Sequence, residues 1–397
     1  MKILAVCQYY YPEPFRVNDI CEEMARRGHE VTVVTGEPNY PEGEIYKGYE
    51  GHAHADEVIN GVKVHRCPII PRKTGAIYRF LNYFSYPIKA KSYVRKLTAS
   101  DGKPFDVVFV NQLSPVMMAE PAIKYGKRYG VPVVMYCLDL WPESLIAGGI
   151  GRGSVVYKIF DGISKKIYRS VDKILITSRM FRGYLEDRFG IPDEKIEYLP
   201  QYAEGLFEKL PYKEPGEITD LVFAGNIGEL QSVQTITEAA KKLEGKPVHF
   251  HIVGGGSDLQ RLEELSKGLS NVTFYGRRPL EEMPDFYAKA DAMLVTLKAD
   301  PVLSLTLPGK VQSYMAAGKP IIGAIDGETA EVIKEAKCGF CGRADDPDEL
   351  AKNIELFMAN DNKKELGLNA AKYYDDYFGR DMFMAKIEEA MRCMYGR

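Results

Sequence analysis

The residues most suggestive of chemistry lie in the segment 305–320, Leu-Thr-Leu-Pro-Gly-Lys-Val-Gln-Ser-Tyr-Met-Ala-Ala-Gly-Lys-Pro. Pro308 and Gly309 interrupt the chain, a short helix is predicted to begin at Lys310, and Gly318 ends it. A cation in the first turn of a helix opposes the helix dipole by about 0.3–1 kcal/mol. That cost disappears when an anion binds, because free backbone N–H groups and the ammonium group can converge on one phosphate. We therefore predict a diphosphate site at Lys310; the alternative is a surface lysine that extends into water.

Two further turns with little side-chain bulk each follow a predicted strand. Strand 219–224 leads into Gly-Asn-Ile-Gly at 225–228, and strand 247–253 leads into Gly-Gly-Gly-Ser at 254–257. A glycine turn between a strand and a helix presents backbone N–H groups to a phosphate. Each turn alone is as consistent with a tight connection as with a site, and the glycines are too few for a dinucleotide fingerprint. Three such turns in one half of the chain favour a nucleotide ligand.

Charged residues follow other predicted strands. Gly276 and Arg277 come at the end of the strand near 271–275, where an arginine could contact a phosphate or a base. In the first half, Asp139 follows a strand and lies near Trp141, the only tryptophan. A carboxylate beside an aromatic surface suits a sugar, which offers hydroxyl groups to bond and apolar faces to stack. We predict a catalytic role for Asp139, with helix capping or another structural role as the alternative.

Aromatic and basic residues mark two more candidate surfaces in the first half. The loop 8–16 contains three consecutive tyrosines and Arg16, which could hold an acceptor. The segment 72–96 carries seven basic side chains, no acidic one and interspersed aromatic residues: Arg72, Lys73, Arg79, Lys89, Lys91, Arg95 and Lys96, with Tyr78, Phe80, Tyr83, Phe84 and Tyr86. This mixture predicts a surface that contacts a membrane; the alternative is a helix with a solvated face.

Three patterns that resemble metal sites have simpler explanations. Cys338 and Cys341 lack a second pair of ligands, and His249 and His251 alternate along a strand without a third ligand. The sequence Asp-Pro-Asp at 346–348 has the spacing found in metal-dependent sugar transferases, but it precedes an apolar helix as an N-cap does. We therefore expect no metal site.

Length, composition and charge restrict the class of protein. A chain of 397 residues exceeds one ordinary core, so two domains are expected. No apolar run is long enough to cross a bilayer and the N-terminus enters directly into a strand pattern, so we expect a cytoplasmic protein. Seven cysteines, an odd number, favour a reducing compartment. Residues 1–200 carry 28 basic against 23 acidic side chains, and residues 201–397 carry 24 against 32, so the first half is the one expected to meet a membrane or an anionic acceptor.

Short apolar runs alternate with amphipathic stretches along most of the chain, which is typical of parallel sheets covered by helices. We predict strands near 2–7, 30–35, 62–66, 106–110, 131–136, 173–177, 219–224, 247–253, 271–275, 292–296, 320–323 and 338–341. Helices are predicted near 17–27, 77–96, 116–129, 154–170, 179–189, 231–243, 257–267, 280–289, 309–317, 328–336, 347–358, 361–373 and 376–394. The pattern predicts an α/β fold of two doubly wound parallel-sheet domains, 1–200 and 201–375, facing across a cleft, with a C-terminal helix at 376–397 that returns to the first domain.

The assembled motifs resemble a bacterial GT-B glycosyltransferase of family 4, from the branch of capsule and O-antigen synthesis that includes N-acetylfucosamine transferases. The similarity extends over nearly the whole chain and rests on the segments 8–13, 26–36, 38–43, 139–144, 225–228, 275–277, 310–320 and 326–328. It implies two Rossmann-like domains, with a UDP-sugar donor in the C-terminal domain and a lipid-linked saccharide acceptor in the N-terminal one. It also implies a retaining transfer without a metal ion or cofactor, at the inner face of the plasma membrane.

The resemblance, together with the turns described above, assigns the candidate site residues. The catalytic residues are expected to be Asp139 and Lys310. The donor-binding residues are expected to be Gly225, Asn226, Gln231, Gly254, Gly276, Arg277, Thr306, Leu307, Pro308, Gly309, Lys310, Ser313 and Glu328. The acceptor-binding residues are expected to be Tyr10, Arg16, Asn39, Trp141 and Glu143.

Two departures from the family pattern concentrate the chemistry on Lys310. The glutamates of the usual Glu-x7-Glu motif fall on Leu305 and Ser313, and the usual arginine and lysine that grip the diphosphate fall on Asn226 and about Gln231. Because a leaving diphosphate must still be stabilised in the transition state, we expect Lys310 and the N–H groups of its helix start to do so, with Arg16 or Arg277 as possible further cations.

Two other functions are compatible with the sequence. A UDP-sugar 2-epimerase shares the two-domain architecture, but it needs convergent acid–base side chains and no histidine lies at a predicted cleft-facing turn. A non-catalytic partner in polysaccharide assembly is suggested by the missing glutamates.

Overall fold

The computed structural model describes residues 1–71, 75–208 and 210–395. The chain divides into two compact units at the boundary between Leu199 and Pro200. The first unit comprises Met1–Thr177, Phe181–Leu199 and Met384–Arg397, and the second comprises Ser178–Met180 and Pro200–Phe383.

The first unit is built on an eight-stranded sheet. Its strands are β1 (Lys2–Val6), β2 (Glu30–Gly36), β3 (Asp56–Ile59), β4 (Val62–Cys67), β5 (Val107–Gln112), β6 (Val133–Cys137), β7 (Lys173–Ile176) and β8 (Ile196–Tyr198). The spatial order is β3-β4-β2-β1-β5-β6-β7-β8, and every pair is parallel except the β3–β4 hairpin. The central strands β1, β5 and β6 are buried almost throughout, as their mainly apolar sequences require.

Between these strands, the described residues of the first unit form the helices α1 (Arg16–Arg26), α2 (Ala76–Val94), α3 (Glu120–Tyr129), α4 (Val155–Ser170) and α5 (Phe181–Phe189). Helix α1 buries one stripe, Val17, Ile20, Cys21 and Met24, at the spacing of a single helix face. Helix α4 begins where the Ser154 hydroxyl accepts a hydrogen bond from the backbone N–H of Tyr157, the usual role of an N-cap serine.

The second unit contains a six-stranded parallel sheet. Its strands are β9 (Thr219–Ala224), β10 (Val248–Val253), β11 (Val272–Gly276), β12 (Ala292–Thr296), β13 (Ile321–Ala324) and β14 (Gly339–Gly342). The spatial order is β11-β10-β9-β12-β13-β14. The chain therefore reverses direction across the sheet between β9 and β12, and such switch points are where open α/β sheets bind ligands, at the carboxyl ends of the strands.

The helices of the second unit are α6 (Val233–Lys242), α7 (Leu259–Leu265), α8 (Met283–Lys289), α9 (Gly309–Ala316), α10 (Glu328–Ala336), α11 (Pro347–Met358) and α12 (Lys363–Tyr377). The last helix, α13 (Arg380–Tyr395), belongs to the first unit from Met384 onward. In the ranges 1–71, 75–208 and 210–395, no helix has both the length and the apolar character that crossing a bilayer requires.

The prediction of two doubly wound, mainly parallel sheets is confirmed, but two strands were not predicted. Strand β3 pairs only with β4 and has two exposed side chains among its four, so it lacks a buried apolar run. Strand β8 is only three residues long and also lies at an edge. The predicted helix 116–129 is a 3₁₀ segment, Val116–Ala119, followed by α3, whose first turn contains Pro121.

Candidate functional site

Glycine turns at the carboxyl ends of β9, β10 and β11 stack directly on one another. The N–H of Gly225 donates to the carbonyl of Val253 at 3.0 Å, and the N–H of Gly254 donates to the carbonyl of Gly276 at 2.9 Å. A Cβ added to Gly254 would lie 1.8 Å from the carbonyl oxygen of Gly225, which no side chain could tolerate. Close packing of backbone on backbone therefore explains the glycine at 254 whether or not a phosphate binds there.

Helix α9 is fixed against the end of β9 by one side chain. The Tyr314 hydroxyl donates to the carbonyl of Ala224 at 3.1 Å and accepts from its N–H at 3.2 Å. Since residues four apart lie on the same helix face, this anchor directs the side chain of Lys310 toward Gly225, the next residue of the turn. Lys310 lies in the first turn of α9, as the sequence predicts.

The Lys310 ammonium group is buried and has no hydrogen-bond partner among the described residues. Its Nζ lies 4.0 Å from the ring centroid of Phe223, and a Cβ added to Gly225 would lie 2.7 Å from it. Burial lowers the pKa of Lys310 from 10.5 to about 7. An unpaired buried charge is strongly unfavourable unless a partner of opposite charge binds beside it. The turn at Gly225 is thus shaped to hold an ammonium group whose natural partner is an anion.

The start of α9 adds donors at the same place. The helix follows Pro308 and has no side-chain cap, and the first N–H groups of any α-helix have no partner within the helix. Leu307 packs into the apolar core of the second unit, and the Thr306 hydroxyl donates to the carbonyl of Leu303 at 2.7 Å. Of this segment, the backbone of Gly309 and the side chain of Lys310 are therefore the groups best suited to bind an anion.

The two positions at which the family usually carries cations hold neutral amides that bind each other. Asn226 Nδ2 donates to Gln231 Oε1 at 3.0 Å. Arg277 is exposed, and its Cβ lies 3.5 Å from the position that a Cβ on Gly255 would take. A second cation is thus present at the rim of the glycine turns, on the solvent side.

Two predicted donor contacts already have partners within the protein. The buried Glu328 carboxylate accepts a hydrogen bond from Arg179 Nε at 2.8 Å, and Arg179 also pairs with Glu335 at 2.9 Å. The Ser313 hydroxyl lies 3.4 Å from both the carbonyl of Gly309 and a carboxylate oxygen of Glu204. A donor role for either side chain would require that these contacts be shared or exchanged.

In the first unit, Asp139 follows β6 and is held by a hydrogen-bond chain. The Ser114 hydroxyl donates to Asp139 Oδ2 at 2.8 Å and accepts from Trp141 Nε1 at 2.9 Å. Burial raises the pKa of Asp139, while the Ser114 hydrogen bond opposes that shift. The carboxylate is therefore fixed in orientation by groups behind it.

The aromatic surface expected at Trp141 is absent, because its indole is fully buried. The ring makes edge contacts with Tyr83 and Phe160, each at a centroid distance of 5.7 Å. Tyr10 and Asn39 are also buried. These three side chains belong to the core, so an acceptor could reach them only if that core opened.

Glu143, also predicted to bind the acceptor, is the centre of a buried ion cluster. Its carboxylate accepts hydrogen bonds from Tyr157 at 2.7 Å, Tyr184 at 3.1 Å and Arg152 at 3.0 Å, and Arg188 lies 3.5 Å away. The sequence gives no direct sign of this cluster, since its members come from separate elements. Glu143 is better explained as a structural carboxylate.

The aromatic residues of loop 8–16, which were predicted to hold an acceptor, lie beyond the carboxyl ends of β1 and β2, together with Tyr40, which was not predicted. Tyr9 stacks on Phe15 at 5.1 Å, and both rings contact Tyr40, at 5.8 and 5.3 Å. Tyr40 is 41% exposed, and Arg16 begins α1 directly after Phe15. The signal was present in the two tyrosine- and proline-rich loops that follow neighbouring strands. The exposed ring of Tyr40 thus offers an aromatic surface that Trp141 does not, while Tyr9 is buried behind it.

The buried carboxyl group of Glu13 ties these two loops together. Its Oε1 accepts hydrogen bonds from the N–H groups of Asn39 and Tyr40 at 2.8 and 2.7 Å, and its Oε2 has no partner among the described residues. Burial raises the pKa of Glu13 to about 7. The loop position of Tyr40 therefore depends on Glu13.

The patterns that resembled metal sites have local partners. Asp346 accepts a hydrogen bond from the N–H of Glu349 at 2.9 Å, which confirms it as the N-cap of α11. His251 bonds Asp220 and Tyr275, each at 2.8 Å. Within the described part of the chain, no three His, Cys, Asp or Glu side chains group as metal ligands.

Of the predicted membrane segment 72–96, Arg72 and Lys73 lie outside the described residues, as does the side chain of Arg79.

The chain thus contains two doubly wound parallel-sheet units, and the second has glycine turns and a helix start at its switch point. This is the architecture of GT-B glycosyltransferases. Two family models match this chain. Residues 15–201 match the model described as glycosyl transferase 4-like domain, and residues 218–360 match the model described as glycosyl transferases group 1. Together they cover most of the chain, which therefore belongs to the GT-B glycosyltransferases of these families.

Named relatives and a solved structure agree with this assignment. The chain is 26% identical over 342 residues to the putative colanic acid biosynthesis glycosyl transferase WcaI of Escherichia coli, covering 80% of this chain and 82% of WcaI. It is 25% identical over 292 residues to the probable glycosyltransferase WbjE of Pseudomonas aeruginosa, covering 68% and 71%. Anabaena HepE, solved in complex with UDP, aligns with a TM-score of 0.71 at 15% identity over 99% of this chain and all of HepE, which shows a shared fold. The chain is thus a glycosyltransferase with relatives in bacterial polysaccharide synthesis.

Proposed function

We propose that this glycosyltransferase takes its sugar from a UDP-sugar and that Lys310 binds the diphosphate. The observation that carries the proposal is the buried, unpartnered ammonium group against the Gly225 turn. A diphosphate beside it would supply the missing negative charge and accept hydrogen bonds from the start of α9. The crystal structures of HepE with UDP and with UDP-glucose support the choice of nucleotide by analogy.

The proposed reaction is a transfer with retention of configuration and without a metal ion. The bond between the anomeric carbon and the diphosphate oxygen breaks while an acceptor hydroxyl oxygen bonds to the anomeric carbon and gives its proton to the departing diphosphate. Negative charge grows on the departing diphosphate, so donors already aimed at that oxygen lower the barrier. Lys310 and the N–H groups of Gly309 and Lys310 would do this, and Arg277 could add charge from the rim.

The sugar we propose is an N-acetylated deoxyhexose such as N-acetylfucosamine, and the acceptor a lipid-linked saccharide in cell-surface polysaccharide synthesis. A relative named for colanic acid biosynthesis, WcaI, supports that setting. On the acceptor side we propose that the exposed ring of Tyr40, with Phe15 beside it, stacks on a sugar face, while the buried ring of Tyr9 supports both from behind. Asp139 is proposed as the polar catalytic group, because its carboxylate is fixed by Ser114 at the end of β6.

The test is thermal unfolding in the presence of UDP-, GDP- and dTDP-sugars, followed by transfer assays with the nucleotide that stabilises. UDP-sugars should raise the melting temperature of the wild type more than that of Lys310→Met. Lys319→Met is a matched control: Lys319 is also buried, but its Nζ donates to the carbonyls of Ala288 and Ala290 at 3.3 and 3.1 Å. That variant should keep its response to UDP.

Other outcomes of this test would revise the proposal. Stabilisation by GDP-sugars alone would overturn the choice of donor. UDP binding with epimerised UDP-sugar as product would indicate the 2-epimerase, and failure to bind any of these nucleotides would indicate a non-catalytic partner.

A further inference from the structure

Exposed apolar side chains concentrate on two helices of the first unit. On α4, Val155 is 73% exposed and Ile159 is 58% exposed. On α2, Phe80 is 50% exposed and Ile88 is 57% exposed. Together with Tyr78, Leu81 and Val156, which are also exposed, these residues form what we call the α2–α4 surface. Single exposed apolar residues need no explanation, but seven on two helices do.

The two helices contact each other through aromatic rings, and one of these rings, Phe80, is itself half exposed. The ring of Phe160 on α4 lies 6.3 Å from Phe80 and 6.1 Å from Phe84 on α2. Val155 and Ile159 are four residues apart, which places them on one face of α4. The α2–α4 surface is therefore one apolar surface assembled from two separate parts of the sequence.

The charges around this surface are positive. Residues 76–94 contain no acidic side chain. Helix α4 contains one, Asp161, which pairs with Arg188 at 2.8 Å. On α4, Lys158, Lys165 and Lys166 are exposed. The apolar side chains of the α2–α4 surface are therefore flanked by exposed lysines, and neither helix carries an unpaired acidic side chain that would offset their positive charge.

We propose that the α2–α4 surface binds the anionic face of a lipid bilayer, with its apolar side chains inserted among the headgroups and its lysines contacting lipid phosphates. Apolar groups beside basic ones, with little acidic charge, are typical of interfacial helices, and lysine stems can extend to the charged headgroups. A symmetric dimer through this surface would bring like charges together, which disfavours a second copy as the partner. The inference goes beyond the sugar transfer and does not depend on which nucleotide binds.

Cosedimentation of the full chain with vesicles, without nucleotide, tests this inference. Vesicles of phosphatidylcholine with phosphatidylglycerol should bind the wild type, and vesicles of phosphatidylcholine alone should bind it weakly. Val155→Ser with Ile159→Ser should weaken binding to anionic vesicles by about tenfold or more, because two inserted side chains are lost. A triple Lys158→Gln, Lys165→Gln, Lys166→Gln variant should bind less and show a weaker dependence on salt.

The matched control is Leu368→Ser, which removes a 62% exposed leucine from α12 in the second unit and should leave vesicle binding unchanged. All changed side chains are exposed, so the variants should remain folded, and unaltered UDP binding would confirm that. Vesicle binding that is equal in wild type and Val155→Ser/Ile159→Ser would overturn the inference. So would concentration-dependent self-association in light scattering that the same two substitutions abolish, because a second copy would then be the partner.

Discussion

Replacing Lys310 by methionine should make the ligand-free protein more stable, which is the reverse of the usual effect of a buried substitution. Methionine approximates the length of the lysine stem and carries no charge. The pKa of Lys310 falls from 10.5 to about 7 on folding. At about 1.36 kcal/mol per pKa unit, the buried charge destabilises the native state by at most about 5 kcal/mol at pH 7 and below. Loss of the contact between the ammonium group and Phe223 offsets about 1–2 kcal/mol of that, so a net gain of about 3 kcal/mol is expected.

The pH dependence of this gain is fixed by the same shift. Between pH 7 and 10.5 the unfolded chain holds the Lys310 proton and the native state does not, so the stability of the wild type rises with pH in this range. Lys310→Met lacks this rise, and its advantage should therefore shrink as the pH increases from about 7 toward 10.

Urea unfolding of both proteins at several pH values in this range measures the difference. Burial also lowers the pKa of Lys319, to about 8. Because Lys319→Met loses two hydrogen bonds to carbonyl groups as well as the buried charge, it should gain less stability than Lys310→Met. The reasoning is refuted if Lys310→Met lowers the free energy of unfolding at pH 7, or if its difference from the wild type does not change with pH.

Three further substitutions test other parts of the site. Gly225→Ala would place a Cβ 2.7 Å from Lys310 Nζ at a residue with φ of 150°. The substitution should therefore displace the ammonium group and weaken UDP binding in calorimetry. Unchanged affinity would show that Lys310 does not bind the diphosphate beside the Gly225 turn. Between pH 4.5 and about 7, the native Glu13 carboxyl keeps a proton that the unfolded chain loses, so the stability of the wild type should fall by at most about 3 kcal/mol as the pH rises. Glu13→Gln should lack this decrease. Thermal unfolding with the same pH dependence in both proteins would contradict this prediction. Asp139→Asn should slow transfer by about a hundredfold while UDP affinity stays constant, and a normal rate in steady-state assays would assign Asp139 a structural role.

Much of the fold could be predicted because its elements carry strong local signals. The strands of the second unit are short and mainly apolar, and their observed bounds differ from the predicted ones by a residue or so. The position of Lys310 in a first helical turn followed from Pro308 and Gly309 alone. Edge strands β3 and β8 were missed because pairing with one neighbour, and not burial, keeps them extended.

The environment of side chains was harder to predict, because it depends on contacts between distant segments. Trp141 was expected to be exposed beside a strand end, but Tyr83 and Phe160 cover it. Glu143 gathers tyrosines and arginines from α4, α5 and the loop before α4. Nothing in the local sequence at 310 indicates that the ammonium group is buried, since that follows from the bond between Tyr314 and Ala224.

The most direct test of the diphosphate site is proton uptake when UDP binds. At about pH 8 the free Lys310 amine should be mostly neutral, because its pKa is about 7, and a bound diphosphate should raise that pKa and draw a proton from the buffer. Calorimetric titration with UDP in two buffers of different ionisation enthalpy measures this uptake. We expect close to one proton per UDP for the wild type and none for Lys310→Met. Equal binding heats in both buffers for the wild type, or the same proton uptake by Lys310→Met, would contradict the central claim that Lys310 receives the diphosphate.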